Sequence, residues 1–289
     1  MNFLFGLNLF IFVLFLSACG KNDDPAPNDD TVIVPPVVVE KFPNIDLNNW
    51  KVTLPIGNPT EVKPPAILDY ANDPTLEDYM YNDTKEGTLV FYTKPGSSTT
   101  NSSYSRTELR EQMESGSDKV NWTFAQGGNM KGTLKVSDVS GQENNLDRII
   151  VMQIHGRLTN EQRDLIEKTD NNAPPVLKIY WDDGKINVRR KVLKDLEVSD
   201  TDILQTDSWK DESNWFDKEV GFDPFTIEID VNENAMQVTL SSDETMIFDD
   251  IHIEKWAIFE NYFKAGNYLQ SKDAGDFSKV NFYNLVVKH

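Results

Sequence analysis

Short apolar runs separated by turn residues recur along most of this chain, and within them apolar and polar positions alternate with the period of two that marks a half-buried β-strand. The pattern predicts strands at 49–54, 88–93, 103–112, 130–139 and 149–156. Further strands are predicted at 176–182, 185–193, 225–231, 235–240, 245–248, 256–263 and 280–287. Asp183-Gly184 suits a type I′ turn, so 176–193 reads as a hairpin. One helix stands out, from Thr159 to about Lys168: Thr159 with Gln162 fits a capping box, and Leu165 and Ile166 give it a small apolar side. Segment 61–83 reads as irregular with one helical turn. Segment 195–223 reads as acidic and irregular, pinned to the body by Trp209 and Trp215. About a dozen short strands, almost no helix and no internal repeat indicate an all-β fold, a two-sheet antiparallel sandwich or β-jelly roll with a concave substrate cleft.

Three stretches have one strongly polar face. On Ser103–Gln112, alternate positions send Tyr104, Arg106, Glu108, Arg110 and Gln112 to one side. On Ile149–Gly156, Ile150, Met152 and Ile154 form an apolar face and leave Gln153 and His155 opposite. On Tyr262–Gln270, period two groups Tyr262, Lys264, Tyr268 and Gln270. Together they predict a polar cleft floored by a sheet. On the hairpin, Lys178 and Tyr180 share one face, as do Asn187, Arg189 and Lys191. This basic patch suits an anionic chain as well as it suits a solvated surface.

Charge narrows the partners. The formal net charge of −19 argues against nucleic acid, which requires a basic footprint. A locally basic cleft built from Arg106, Arg110 and Lys264 still admits an anionic ligand. The single cysteine, Cys19, excludes an intrachain disulfide. Its setting explains it: Phe3–Leu16 is an apolar run short for a membrane span but right for the core of a signal peptide. The run ends in Leu16-Ser17-Ala18-Cys19, which resembles the lipobox of bacterial lipoproteins, in which the cysteine becomes the lipidated N-terminus. No Lys or Arg precedes the run, and an uncut anchor helix is the alternative. Cys19-Gly20-Lys21-Asn22-Asp23-Asp24 also resembles the acidic export tag of surface lipoproteins. The expected organisation is a lipoprotein signal peptide at 1–18, a Pro/Asn/Asp-rich tether at 19–40 and one domain at 41–289. The expected setting is the bacterial cell envelope, as a monomer lipid-anchored through Cys19 at the outer membrane and exposed at the surface.

The polar groups define a chemistry. Arg106 and Gln153 can bind a carboxylate, His155 and Tyr268 can move protons, and Glu108 can orient Arg or Lys by pairing. Only three histidines occur, with no H-x-x-x-H spacing, so neither a catalytic zinc nor any cofactor is expected. β-Elimination on a uronic acid polymer needs these parts. The proton at C5 is poorly acidic while the adjacent carboxylate keeps its charge, so Arg106 and Gln153 would neutralise that carboxylate and stabilise the dianion-like intermediate. A base takes the proton and an acid protonates the leaving O4. Histidine, with an ordinary pKa of ~6.5, is a ready base. Tyrosine at ~10 needs cationic neighbours such as Lys264 or Arg110 to act as base, but serves as an acid without help.

Arg106-Thr107-Glu108-Leu109-Arg110, Gln153-Ile154-His155 and Tyr262-Phe263-Lys264-Ala265-Gly266-Asn267-Tyr268-Leu269-Gln270 resemble the three signature stretches of family 7 polysaccharide lyases, the alginate lyases. They follow the family's order and the resemblance covers most of the chain from Trp50 to Val287. It implies a β-jelly roll whose concave sheet binds alginate, with Arg106 and Gln153 as carboxylate neutralisers, His155 as base and Tyr268 as acid. It also implies that Glu108, Arg110, Lys264 and Gln270 bind sugar or hold the site, and Lys178, Tyr180 and Arg189 are added as substrate-binding candidates from the hairpin. In this family the Gln-Ile-His form is associated with guluronate-containing blocks. Segment 157–172 is longer than the family usually has after Gln-Ile-His, and a cleft blocked there would favour cutting from chain ends.

Two other readings fit parts of the pattern. Glu228-Ile229-Asp230-Val231-Asn232-Glu233 resembles the Glu-x-Asp-x-x-Glu motif of family 16 glycoside hydrolases, whose retaining mechanism needs carboxylates about 5–5.5 Å apart. Glu233 would join Glu228 and Asp230 only through a bulge, and alternation with Ile227, Ile229 and Val231 makes a solvent-facing acidic edge the more ordinary explanation. The third reading is a non-catalytic surface carbohydrate-binding lipoprotein, which would not need a proton-transfer pair.

Overall fold

In the computed structural model the described residues are 40–97, 102–142 and 145–289. The expected signal peptide, Cys19 and the tether up to residue 39 lie outside them.

Two sheets face each other. The first runs, edge to edge, through Trp209–Glu219 (β13), Lys185–Leu193 (β12), Asn172–Asp182 (β11), Ile149–Arg157 (β10), Glu260–Leu269 (β17), Arg106–Glu111 (β6), Trp50–Leu54 (β2) and Thr60–Val62 (β3). The second runs through Glu244–Phe248 (β16), Ala235–Leu240 (β15), Phe225–Asn232 (β14), Gly128–Val139 (β7), Ser278–Lys288 (β18), Thr88–Thr93 (β5) and Met80–Asp83 (β4), with Asn44–Ile45 (β1) parallel to β18. Gly141–Gln142 (β8) and Asn145–Leu146 (β9) form a small separate ladder. The remaining pairings in both sheets are antiparallel, as the alternating pattern requires.

Burial follows that pattern. Along β14, Phe225, Ile227, Ile229 and Val231 are buried while Thr226, Glu228, Asp230 and Asn232 face outward. The space between the sheets is filled by fully buried Trp122, Trp181, Trp256, Phe91, Phe124, Phe259, Phe263 and Phe282, each worth about 1.5–3 kcal/mol relative to exposure. Asn267 on β17 stitches the layers together: its amide donates to the carbonyls of Phe91 and Ser278, and its Oδ1 accepts from the Ser278 hydroxyl.

Several local expectations are met. Thr159 and Gln162 form a capping box on Asn160–Leu165 (α1). Asp183 and Gly184 both have positive φ, 50° and 82°, as a type I′ turn demands. Others are corrected. Segment 61–83 contains β3, a 3-10 segment Ala66–Asn72 and β4. Segment 195–223 contains strand β13, in which Trp209 is buried but Trp215 is 49% exposed and pins nothing. The strand predicted over 256–263 begins only at Glu260, because Asp250 caps the amide of His252 and starts a helix, Ile251–Trp256 (α2), that buries Ile253 and Trp256 on one side.

The most consequential correction concerns β10. Strict alternation puts Ile150 in the core with Met152 and Ile154. The register shifts between Ile150 and Met152 against both neighbouring strands, which marks a bulge there. Ile150 therefore sits opposite Tyr180 and Tyr268, while Ile149, Val151, Met152 and Ile154 belong to the core cluster.

Candidate active site

The three polar-faced strands are neighbours, in the order β10, β17, β6. Residues directly opposite across a sheet share a face. On β6 and β17 the pairs are Arg106 with Tyr268, Glu108 with Gly266 and Arg110 with Lys264; on β17 and β10 they are Lys264 with Gln153 and Tyr262 with His155. The sheet thus brings Arg106, Gln153, His155 and Tyr268 onto one surface. Gly266 makes room for this: its φ is 143°, and a Cβ there would lie 2.7 Å from the Thr107 carbonyl and 2.9 Å from Glu108 Cα.

Glu108 is the buried hub, its side chain only 1% exposed. The Lys264 ammonium and the Gln153 amide both bond its carboxylate, and the Arg106 guanidinium lies 3.3 Å away. A buried carboxylate is tolerable only with such partners. Arg106 also stacks over the Tyr268 ring at 4.0 Å, and Arg110 over Tyr262 at 4.1 Å. Arg110 is held in turn by Asn121 Oδ1 at 2.8 Å and by Asp118 at 3.2 Å, and Asp118 accepts a 2.8 Å bond from Lys51. Although burial opposes it, Lys51, Gln112 and Arg110 hold the Asp118 carboxyl well below the usual carboxylate range. The result is a basic surface on an acidic protein.

Protonation states follow from burial and these cations. Burial first, then Lys264, Arg106 and Arg110, bring the His155 pKa down to about 3, the Gly156 carbonyl opposing them. His155 is therefore neutral. Its Nδ1 lies 3.0 Å from the Gly156 carbonyl, which can only accept, so the proton resides on Nδ1 and Nε2 keeps a free lone pair. The ring stacks on Tyr262, 5.1 Å between centroids and 13° between planes. Burial raises the Tyr268 pKa despite Arg106 and Ser102, so its phenol keeps its proton. The hydroxyl lies 2.5 Å from Ser102 Oγ, and Ser102 spends its own hydrogen on the Tyr104 carbonyl at 3.1 Å, so Tyr268 donates. Burial lowers Lys264 to about 8 against the pull of Glu108. Tyr262, pushed up to about 12 by burial, is inert as an acid near neutrality.

A cavity of about 550 Å³ opens over this surface, lined by Arg106, Arg110, His155, Tyr262 and Lys264 among others. Lys168, Asn172, Pro174 and Pro175 line it beside His155, so the long segment after Gln-Ile-His does shape the cleft. Of the remaining candidates, Gln270 lies just past β17 with its amide on the Tyr268 carbonyl at 3.2 Å. Lys178 is on the site face but spends its charge on Asp211 at 2.7 Å, a partner shared with Lys191 at 2.8 Å. Tyr180 is covered by the Arg189 guanidinium at 4.5 Å. Ser102, Lys51 and Asp118 were not singled out by the sequence, and Tyr262 was placed on the cleft face without a role. Tyr262 shares the period of Lys264 and was legible; Ser102 and Asp118 sit in loops whose pattern gives no signal.

The rival acidic motif lies elsewhere. Glu228 and Asp230 are on β14, in the other sheet, where Asn129 bonds both at 3.1 Å and Lys131 pairs with Glu228 at 2.8 Å. Lys131 and Asn129 lower the Glu228 pKa, the opposite of what a glycosidase acid needs. His252 Nδ1 accepts the Leu193 amide, a structural role. Among the described residues no group of three or more His, Cys, Asp or Glu is placed to hold a metal ion.

A two-sheet sandwich with an Arg, Gln, His and Tyr constellation on one face defines a class of polysaccharide-active β-sandwich. The alginate lyase family profile matches residues 45–289, and the chain belongs to that family of polysaccharide lyases. Among solved structures it is similar to alginate lyase A1-II′, a member of polysaccharide lyase family 7. The two share 32% identity over 85% of this chain and 96% of that one, with a TM-score of 0.68. A variant of that enzyme in complex with substrate (GGMG) matches at 30% identity over 84% and 94% of the chains, TM-score 0.67. Alginate lyase AlgAT5, of the same family, shares 26% identity over 85% and 96%, TM-score 0.60. No curated protein matches the sequence.

Proposed function

We propose that this chain cleaves the 1,4-glycosidic bond of alginate by β-elimination, leaving an unsaturated uronate at the new non-reducing end. The observation that carries this reading is the neutral His155, with a free Nε2, on the same surface as a protonated Tyr268 and the Arg106/Gln153 pair. Arg106 and Gln153 bind the uronate carboxylate, drawing charge from C5. His155 Nε2 removes the C5 proton, electrons flow to form C4=C5, and Tyr268 delivers its proton to the departing O4. The cations that depress the His155 pKa are neutralised by the incoming carboxylate, so its basicity rises when substrate binds. The structures bound to substrate (GGMG) and product (GGG) in relatives at 30% and 31% identity support the assignment to alginate.

Mannuronate and guluronate are C5 epimers, so the proton leaves from different sides of the ring. Separate residues for base and acid suit guluronate, and we assign the preference to guluronate-containing blocks. The N-terminal pattern supports anchoring through a lipidated Cys19 at the outer membrane surface, and we propose that the protein acts there as a monomer. The deciding experiment mixes purified protein separately with polyguluronate and polymannuronate and follows ultraviolet absorbance. A rise, faster with polyguluronate, is the expected result; no rise with either polymer would overturn the assignment.

The pH profile gives a second test. For the free enzyme, kcat/KM needs His155 neutral and Lys264 charged. With His155 held near about 3 and Lys264 near about 8, it should stay flat through the range where imidazole ordinarily titrates and fall above about 8. An acid limb near the ordinary imidazole value would show that His155 is not desolvated as described.

A further inference from the structure

The register defines one continuous row across the site sheet: Arg106 on β6, Tyr268 on β17, Ile150 on β10, Tyr180 on β11, Asn187 on β12 and Trp215 on the edge strand β13. Each member is paired with the next, so all six share the face that carries the catalytic groups. From β17 to β13 there are four strand steps, which at ~4.8 Å each place Trp215 about 19 Å from Tyr268. One strand step is close to the repeat of a 1,4-linked pyranose chain. A polymer lying across the strands therefore advances about one sugar per strand.

The middle of the row is already furnished for anions. The Arg189 guanidinium lies 4.5 Å over Tyr180 and that of Arg148 5.8 Å from the same ring. They leave Tyr180 only 4% exposed, so its ring offers no stacking surface. Asn187 is fully buried, donating to Ser213 Oγ at 2.7 Å and to the Asn214 carbonyl at 3.1 Å, which fixes the edge strand beneath Trp215. Alternation along β13 buries Phe216 and leaves its neighbour Trp215 outward, 49% exposed. A large aromatic ring held open at the end of a cationic row is the arrangement that stacks on the apolar C–H face of a pyranose.

We infer that Trp215 is a distal sugar platform, binding a residue of the same polyuronate chain about four units from the one attacked at Tyr268. The inference rests on the lyase reading above and adds to it a dependence on chain length. The test compares wild type, Trp215→Phe and Trp215→Ala on polymeric alginate and on an alginate trisaccharide too short to span the row. Expected is a ratio of polymer to trisaccharide kcat/KM that falls about tenfold in Trp215→Ala, the loss of one stacked sugar, and is mostly restored in Trp215→Phe. Polymer affinity measured directly by calorimetry should weaken in parallel, with the melting temperature unchanged. An unchanged ratio and unchanged polymer affinity in Trp215→Ala would overturn the platform. Absence of unsaturated product from wild type on every substrate would instead overturn the lyase reading, and the calorimetric comparison would still decide the platform.

Discussion

Tyr268→Phe is expected to lower turnover on alginate about 10²- to 10⁴-fold, the usual contribution of a positioned general acid, while leaving KM nearly unchanged. The ring survives the substitution, and with it the Arg106 stack at 4.0 Å that holds both groups over the cleft. Only the hydroxyl and its bond to Ser102 are lost. Binding of the carboxylate by Arg106 and Gln153 does not pass through that hydroxyl, so the effect falls on kcat. Initial rates by ultraviolet absorbance, with a melting curve to confirm the fold, make the test. Near-normal turnover would remove Tyr268 from the mechanism.

The second large effect is on stability. Glu108→Gln keeps the shape and removes the charge that compensates Lys264 and Arg106, the first of them buried but for the edge that lines the cleft. Breaking a buried pair by removing one partner costs about 3–5 kcal/mol. For a domain of this size that corresponds to a melting temperature lower by roughly 10 °C, taking ~2–4 °C per kcal/mol. Lys264 would also shed its proton more readily, which weakens the carboxylate clamp at neutral pH. A melting temperature within a degree or two of wild type would show that solvent, not Glu108, balances these cations.

Much of the site was legible because a strand's period of two is rigid. Arg106, Glu108 and Arg110 could not be spaced as they are on one strand without facing the same way, and the same holds for Gln153 with His155 and for Tyr262 with Lys264. What alternation cannot show is where the period is reset. The bulge at Ile150 depends on pairing with β11 and with β17, the latter far away in sequence. Helix α2 was missed for a related reason. Its six residues are too few for a helical period to compete with the β-branched Ile251 and Ile253, and only the Asp250 cap announces it. Pairings such as Asp211 with Lys178 and Lys191, which offset part of the charge of the basic patch, are long-range contacts that no local pattern records.

The bulge in β10 makes that strand a phase shifter. Its two ends present opposite parities to the cleft: odd positions supply the amide and the imidazole at one end, and the even-numbered Ile150 joins the tyrosines at the other. Keeping every residue but forcing the strand into a perfect zigzag would turn one half of it inside out. The irregularity is what allows one strand to serve both the proton-transfer machinery and the row along which the polymer is laid, so a redesign that idealised β10 would trade regularity for a divided active surface.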